Sequence, residues 1–273
     1  MSYYESVAIL LAINTLLALS LYIPMVAGQI SLGHAGFMAI GAYVCVLLAS
    51  KSAVAFPLAL LGGGAAAALA GLVVGFPALR IRGIYLIILT MGFGEIVRIF
   101  FLNFEPTGGP SGMSGIKPLT TLGGLLLACA LAVLVAVQLR RSRVGRAMIA
   151  VHEDEGAAES MGVNLVHIKL MSFVIGAFVA GVAGGFYAHH ALFIEPAQFG
   201  FLRSAEMFLF VVLGGYTSVL GPVVGAAFVT VLPEMLRFVQ EWRMTFFGVL
   251  LVAAAVWRPE GLISPSRGSG SGA

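Results

Sequence analysis

Long runs of apolar residues, separated by short polar breaks, follow one another along the whole chain. They cover residues 7–26, 30–49, 54–76, 83–102, 122–139, 170–189, 205–219, 223–239 and 246–256. Several reach the ~20 residues that an α-helix needs to cross a hydrocarbon core. None alternates with the period of a barrel strand, and backbone in lipid must satisfy its own hydrogen bonds, so the pattern predicts helices. The expected fold is all-α: a polytopic transmembrane bundle of eight or nine spans, with Gly-interrupted helices and internal inverted repeats. The seventh run is short and leads into "LGGYTSVLGP" (213–222), which predicts a half-helix that turns back. The first run has no basic segment before it and no small-residue cleavage site after it, and reads as a retained helix rather than a secretory signal.

Composition strengthens this picture. Of 273 residues, 60% are hydrophobic and only 10% charged, with a mean hydropathy of +1.03. A soluble domain carries about 25% charged residues, so this chain could not cover a water-facing surface. A net charge of +3 is too small to suggest a nucleic-acid partner. Cys45 and Cys129 fall inside predicted spans and imply no disulfide framework. Residues 1–265 read as one transmembrane domain with a cytoplasmic loop at 140–169, and the Gly/Ser-rich stretch 266–273 as a flexible tail.

The basic residues orient the bundle. Arg80, Arg82, Arg140, Arg141, Arg143, Arg146, Lys169, Arg258 and Arg267 fall on one side, nine of the fifteen Lys and Arg. Lys51, Lys117, Arg203, Arg237 and Arg243 fall on the other, and Arg98 lies within a span. The richer side is expected to be cytoplasmic, which puts the N-terminus outside for nine crossings.

Two Gly-rich interruptions stand out. "GQISLGHAGFMAIGAYV" (28–44) brings Gln29, Ser31, Gly33 and His34 into an otherwise apolar stretch, and "VVLGGYTSVLGPVVGA" (211–226) brings Thr217 and Ser218. Polar groups are costly against lipid, and Gly-interrupted segments in both halves of a membrane protein point to a transport site between repeats. The plainer reading is close helix packing, since Gly is common in spans. Glu95 and Arg98 stand one turn apart in "LTMGFGEIVRIFFLN", either as a structural ion pair or as lining of a polar pathway; Glu206 raises the same choice. His189 and His190 sit at a span end, where adjacent residues point to different helix faces and do not chelate a metal.

The loop 140–169 differs in kind. Glu153, Asp154 and Glu155 suit a first helical turn, Gly162 a helix stop and Asn164 the cap of the following helix. A short helix is expected over 153–161. Its apolar stripe, Met148, Val151, Ala158 and Met161, is expected to face a partner groove; the alternative is a solvated linker. None of the three lysines follows a glycine, so there is no phosphate-cradling GxxxxGK[ST] loop, and HExxH, CxxC and GxSxG are absent too.

Taken together and in this order, "GQISLGHAGFMAIGAYV", "LTMGFGEIVRIFFLN" with "TGGPSGM", "GRAMIAVHEDEGAAESMGVN", "VVLGGYTSVLGPVVGA" and "WRPEGLI" resemble the branched-chain amino acid ABC importer permeases, LivM-type. The resemblance implies an all-helical inner-membrane permease, itself not an enzyme, paired with a second, LivH-type permease. It also implies two cytoplasmic ATPase subunits, which hold ATP and Mg, and a periplasmic solute-binding protein. On this reading Gln29, Ser31, Gly33, His34, Glu95, Arg98, Glu206, Thr217 and Ser218 line the substrate pathway. Met148, Val151, Glu153, Asp154, Glu155, Ala158, Met161 and Gly162 form the ATPase-coupling segment. Relatives with similar motifs carry urea, short amides or aromatic acids. A proton-coupled carrier using Glu95 or Glu206 is the opposing class.

Overall fold

In a computed structural model the described residues are 3–51, 54–78, 81, 83–235 and 248–249, and they form helices joined by short connections. The helices are α1 (Tyr3–Val26), α2 (His34–Lys51), α3 (Phe56–Ala78), α4 (Ile84–Asn103), α5 (Leu122–Arg141), α6 (Arg143–Glu153), α7 (Glu155–Ser160), α8 (Leu165–Ala191), α9 (Phe201–Gly214) and α10 (Leu220–Met235). Five of them, α1, α3, α4, α5 and α8, are long and apolar enough to cross a membrane; α2 and α10 contain shorter apolar stretches. The run expected at 246–256, the motif "WRPEGLI", the tail, and Arg80, Arg82, Arg237, Arg243, Arg258 and Arg267 lie outside the described residues.

Side-chain contacts fix the directions of the helices. Cys129 Sγ lies 3.2 Å from the Ala12 carbonyl and Arg140 donates to the Tyr22 hydroxyl at 3.1 Å, so α1 and α5 run the same way. Helices α2, α4 and α8 run opposite to them. Gly36 faces Gly94, and Gly41 faces Gly181. Helix α3 returns beside them, with Gly63 against Gly41 and Gly71 against Ala177. The end of α5, α6 and the start of α8 therefore share one end of the bundle with the end of α1. Arg140, Arg141, Arg143, Arg146 and Lys169 gather there, as the charge asymmetry predicts.

Two helices form the centre. Helix α1 is buried along most of its length from Ile9 to Met25, and α8 packs against α1, α2 and α3. The outer helices α3, α4 and α5 instead expose Leu58, Leu69, Val73, Ile88, Ile96, Leu127 and Leu131. Such a rind of exposed aliphatic side chains fits a hydrocarbon solvent and not water. The close approach of α2 to α8 depends on missing side chains: a Cβ on Gly41 would run into the backbone of Gly181, and one on Gly184 into the Met38 carbonyl. Small residues let helix backbones approach in this way when the hydrophobic effect gives no force between helices.

Boundaries differ from the expected ones where a cap or a break intervenes. The second helix starts at His34 rather than at residue 30, because 27–33 are not helical. Helix α8 extends back to the cap at Asn164, whose side chain accepts from His167 N at 3.0 Å. The loop helix expected over 153–161 is two helices. Asp154 ends α6 with extended backbone and then caps α7, its carboxylate accepting from Ala157 N at 3.0 Å. Gly162 closes α7 in the left-handed region, as its position suggests.

The glycine seam gives a direct test. Gly41→Val is expected to destabilise the purified protein by about 1–3 kcal/mol, the usual cost of overpacking. Gly92→Ala, on an exposed face of α4 with open space at its Cβ, is expected to be neutral or to stabilise by up to ~1 kcal/mol. Unfolding in detergent, followed by circular dichroism, checks both.

Candidate functional site

The first interruption begins with Pro24 inside α1. Proline has no N–H, so the Ser20 carbonyl loses its helical donor. The chain then turns: Ala27 N and Gln29 N both return to the Pro24 carbonyl at 3.0 Å, with Gly28 left-handed at φ 77. Irregular backbone at membrane depth is tolerated only when protein covers it, and four elements cover this stretch. Ser172 of α8 donates to Gln29 Oε1 at 3.0 Å, Thr90 of α4 accepts from Leu32 N at 3.1 Å, and Ser204 of α9 accepts from Ala35 N at 3.1 Å. Gly28 lies against His152 of α6.

Gln29, Ser31 and His34 are thus all buried and packed among protein groups. Ser31 Oγ accepts from Gly33 N at 3.3 Å and shares a hydrogen bond with His34 Nδ1 at 3.1 Å. The Ser20 carbonyl freed by Pro24 lies within reach of the His34 ring, although Nε2 has no partner at hydrogen-bonding geometry. Phe37 and Phe173 meet the ring edge-on at 5.5 and 6.1 Å. Gly33 is fixed by space: a Cβ there would overlap the Thr90 carbonyl.

The second interruption is a helical hairpin. Helix α9 ends at Gly214, Gly215 turns at φ 93, and α10 returns along it. The backbones touch, since a Cβ on Gly225 would strike the Phe210 carbonyl and one on Gly214 the Gly221 carbonyl. The half-helix expected from the short seventh run is present. Thr217 Oγ1 is buried without a partner among the described residues, and Ser218 Oγ accepts from Leu220 N at 3.3 Å. The turn also carries Tyr216, whose ring meets His152 edge-on at 5.6 Å. His152 therefore touches both interruptions.

Helix α9 starts inside the bundle, not at its outer end. Arg203, expected in an outer loop, donates at 2.8 Å to Asn14, midway along α1. It also pairs with Glu206, and its guanidinium lies 5.8 Å from the centre of the Tyr187 ring. Asn14 in turn donates to Thr230 of α10 at 2.9 Å. The chain before α9 dips inward. Ile194 is fully buried and bridges Met113 in both directions, at 2.8 and 3.1 Å, and a short 3-10 turn (Pro196–Phe199) follows. Asn14, Arg203 and Thr230 are functional candidates that the sequence pattern does not single out. Each is an isolated polar residue, and only the fold joins them.

Glu95 and Arg98 pair at 2.7 Å on α4, each side chain about one-third exposed, and Arg98 packs beside Gly200 at the head of α9. His189 is buried, bound to the Lys117 carbonyl at 2.8 Å and 4.9 Å from the Phe56 ring centre. Among the described residues no cluster of His, Cys, Asp and Glu could hold a metal.

At the basic end the apolar stripe of the loop turns inward, contrary to expectation. Met148, Val151 and Ala158 are buried with Ala27 and Ile168 in a small core of the chain itself, and only Met161, 71% exposed, faces out. The burial has a physical cause: α6 lies across the ends of α1 and α8, whose apolar ends need a cover. Glu155 also turns inward, pairing with Lys169, a buried lysine in the second turn of α8. The outward face offers Glu153, Asp154, Glu159 and Met161. Beside it, Glu155, Glu159, Gly162, Asn164, Val166 and Lys169 are among the residues lining an open cleft of about 450 Å³.

A bundle with two covered breaks, a returning half-helix and a folded loop at its basic end is a multi-pass helical membrane protein. The chain belongs to the family described as branched-chain amino acid transport system / permease component, which matches residues 3–255. It is 38% identical over 298 residues to the high-affinity branched-chain amino acid transport system permease protein LivM of Escherichia coli (strain K12), covering 96% of this chain and 70% of that protein. The LivM of Salmonella typhimurium is also 38% identical, over 88% of this chain and 65% of its own length. The LivH permease protein of Salmonella typhimurium is 30% identical over 131 residues, 47% of this chain and 42% of that protein. No solved structure matches the chain at comparable significance. The family consists of membrane permease components, not enzymes.

The covered break makes its own prediction. Gly33→Leu is expected to abolish transport or folding, because its Cβ alone overlaps the Thr90 carbonyl. His34→Gln, which keeps a hydrogen-bonding side chain, is expected to be milder. Yield of folded protein and solute uptake by the two variants check this, and normal uptake by Gly33→Leu would refute the close-packing account.

Proposed function

We propose that this chain is one of two permeases in an ATP-driven importer of the bacterial inner membrane, and that its solutes are branched-chain amino acids. The observation that carries the reading is the 38% identity to LivM across 96% of the chain. The partial match to LivH supports a second, similar permease beside it. Two cytoplasmic ATPase subunits with ATP and Mg, and a periplasmic binding protein, complete the assembly. Nine crossings built on inverted repeats accommodate the apolar runs.

The binding protein delivers solute at the outer end, and ATP-driven closure of the ATPases moves α6 and α7. His152 supports this coupling, since it touches Gly28 in one interruption and Tyr216 in the other. Displacing α6 then shifts both breaks together, and differential contact with open and closed ATPases drives the switch. Gln29, Ser31, Gly33, His34, Thr217 and Ser218 supply pivots, and Glu95, Arg98 and Glu206 supply polar lining. The opposing proton-coupled reading is disfavoured because Glu95 and Glu206 are each held by an arginine, a pair that a proton carrier must break in every cycle.

The purified chain alone is expected to hydrolyse no ATP, and the reconstituted assembly to take up solute only with ATP. Uptake by the isolated chain on a proton gradient overturns this reading. Met161→Glu with Glu153→Lys, on the outward face of the loop, is expected to lower co-purification of the ATPase or to uncouple hydrolysis from uptake, with membrane insertion intact. Wild-type values for both measurements make the loop a connector only. Glu155 is less suited to this test, because its reversal also strands the buried Lys169.

A further inference from the structure

The inward-dipping stretch before α9 carries charge that the contacts above leave unbalanced. Glu195 begins the 3-10 turn Pro196–Phe199, but its carboxylate makes no capping bond. Among the described residues no cation lies within ion-pair distance of it. Arg203 is already paired with Glu206, so these three residues hold two carboxylates against one guanidinium, an excess of one negative charge. The adjacent Glu95–Arg98 pair is neutral in itself and does not offset it.

Two tyrosines pack against the turn that Glu195 begins, through Phe199. Glu195 lies within electrostatic reach of Tyr43 and Tyr187. Tyr43 is completely buried, and its hydroxyl has no partner among the described residues. Tyr187 reaches Gln198 Oε1 at 3.4 Å. Phe199 stands between the two tyrosine rings, 6.0 Å from one and 6.1 Å from the other. Glu195 is half-buried, and a carboxylate without a cation beside a buried, orphaned hydroxyl is costly in a membrane protein, where ionisable groups mark functional sites. A primary ammonium resolves both at once, having three N–H donors and one positive charge. The aromatic rings add a favourable face for a cation.

We propose that Glu195, Tyr43 and Tyr187 form a site that receives the primary ammonium of the transported solute where the chain dips into the bundle. The site deepens the permease reading and rests on it: it selects solutes carrying an amine and disfavours neutral amides and simple carboxylates. Its depth is set by Tyr43, midway along α2, so the solute meets it after entering the bundle.

The test uses the full chain in lipid nanodiscs and the reconstituted assembly. A hydrophobic carbodiimide in excess modifies Glu195, and mass spectrometry follows the rate at which the free carboxylate is lost, with N-acylurea and amide products counted together. Leucine and 3-methylbutylamine are expected to slow labelling at least about threefold, and 4-methylpentanoate to leave it unchanged. In the assembly, Glu195→Gln is expected to cut ATP-driven leucine uptake at least about tenfold, and Glu195→Asp to recover part of it. Labelling unaffected by both amines, or wild-type uptake by Glu195→Gln, overturns the site while leaving the permease reading intact. Protection by amines, in a chain whose assembly takes up no amino acid, supports the site and overturns the choice of solute.

Discussion

A peptide group in hydrocarbon has no water to bond, so every departure from helix must be covered by protein. The rest of this structure follows from that constraint. The chain leaves the helix inside the bundle at 27–33 and again before α9, and at each place neighbouring elements supply the missing partners. Thr90 and Ser204 take up the free N–H groups of Leu32 and Ala35, and the Met113–Ile194 bridge closes the other break. The hydroxyls scattered through the spans therefore have structural work that is independent of any solute.

Coverage of this kind requires close approach, which explains the placement of the glycines. Gly33 brings the break against the α4 backbone, Gly41 and Gly184 bring α2 onto α8, and Gly225 seats α10 on α9. With no hydrophobic force between helices in lipid, shape and packing decide association.

The basic end is built differently. Met148, Val151 and Ala158 bury against Ala27 and Ile168, and the Lys169–Glu155 pair ties α7 to α8. The loop is part of the bundle rather than an appendage. His152 extends that connection to both interruptions.

By itself the sequence determined the class of fold, the membrane as solvent, the two interruptions, the returning half-helix and the caps at Gly162 and Asn164. These are legible because apolar runs, glycines and capping residues act through local backbone geometry and through composition, which survive in a one-dimensional pattern. It also paired Glu95 with Arg98, which stand one turn apart. Only the tertiary structure decided that Arg203 lies midway across the bundle against Asn14, that Phe199 brings the turn begun by Glu195 beside Tyr43 and Tyr187, and that the stripe of α6 and α7 points inward. The periodicity of a helix reveals that it has an apolar face but not which neighbour that face meets. Partners distant in the chain, such as Asn14 and Arg203, meet only because helices cross at fixed depths, and depth is a property of the packed bundle.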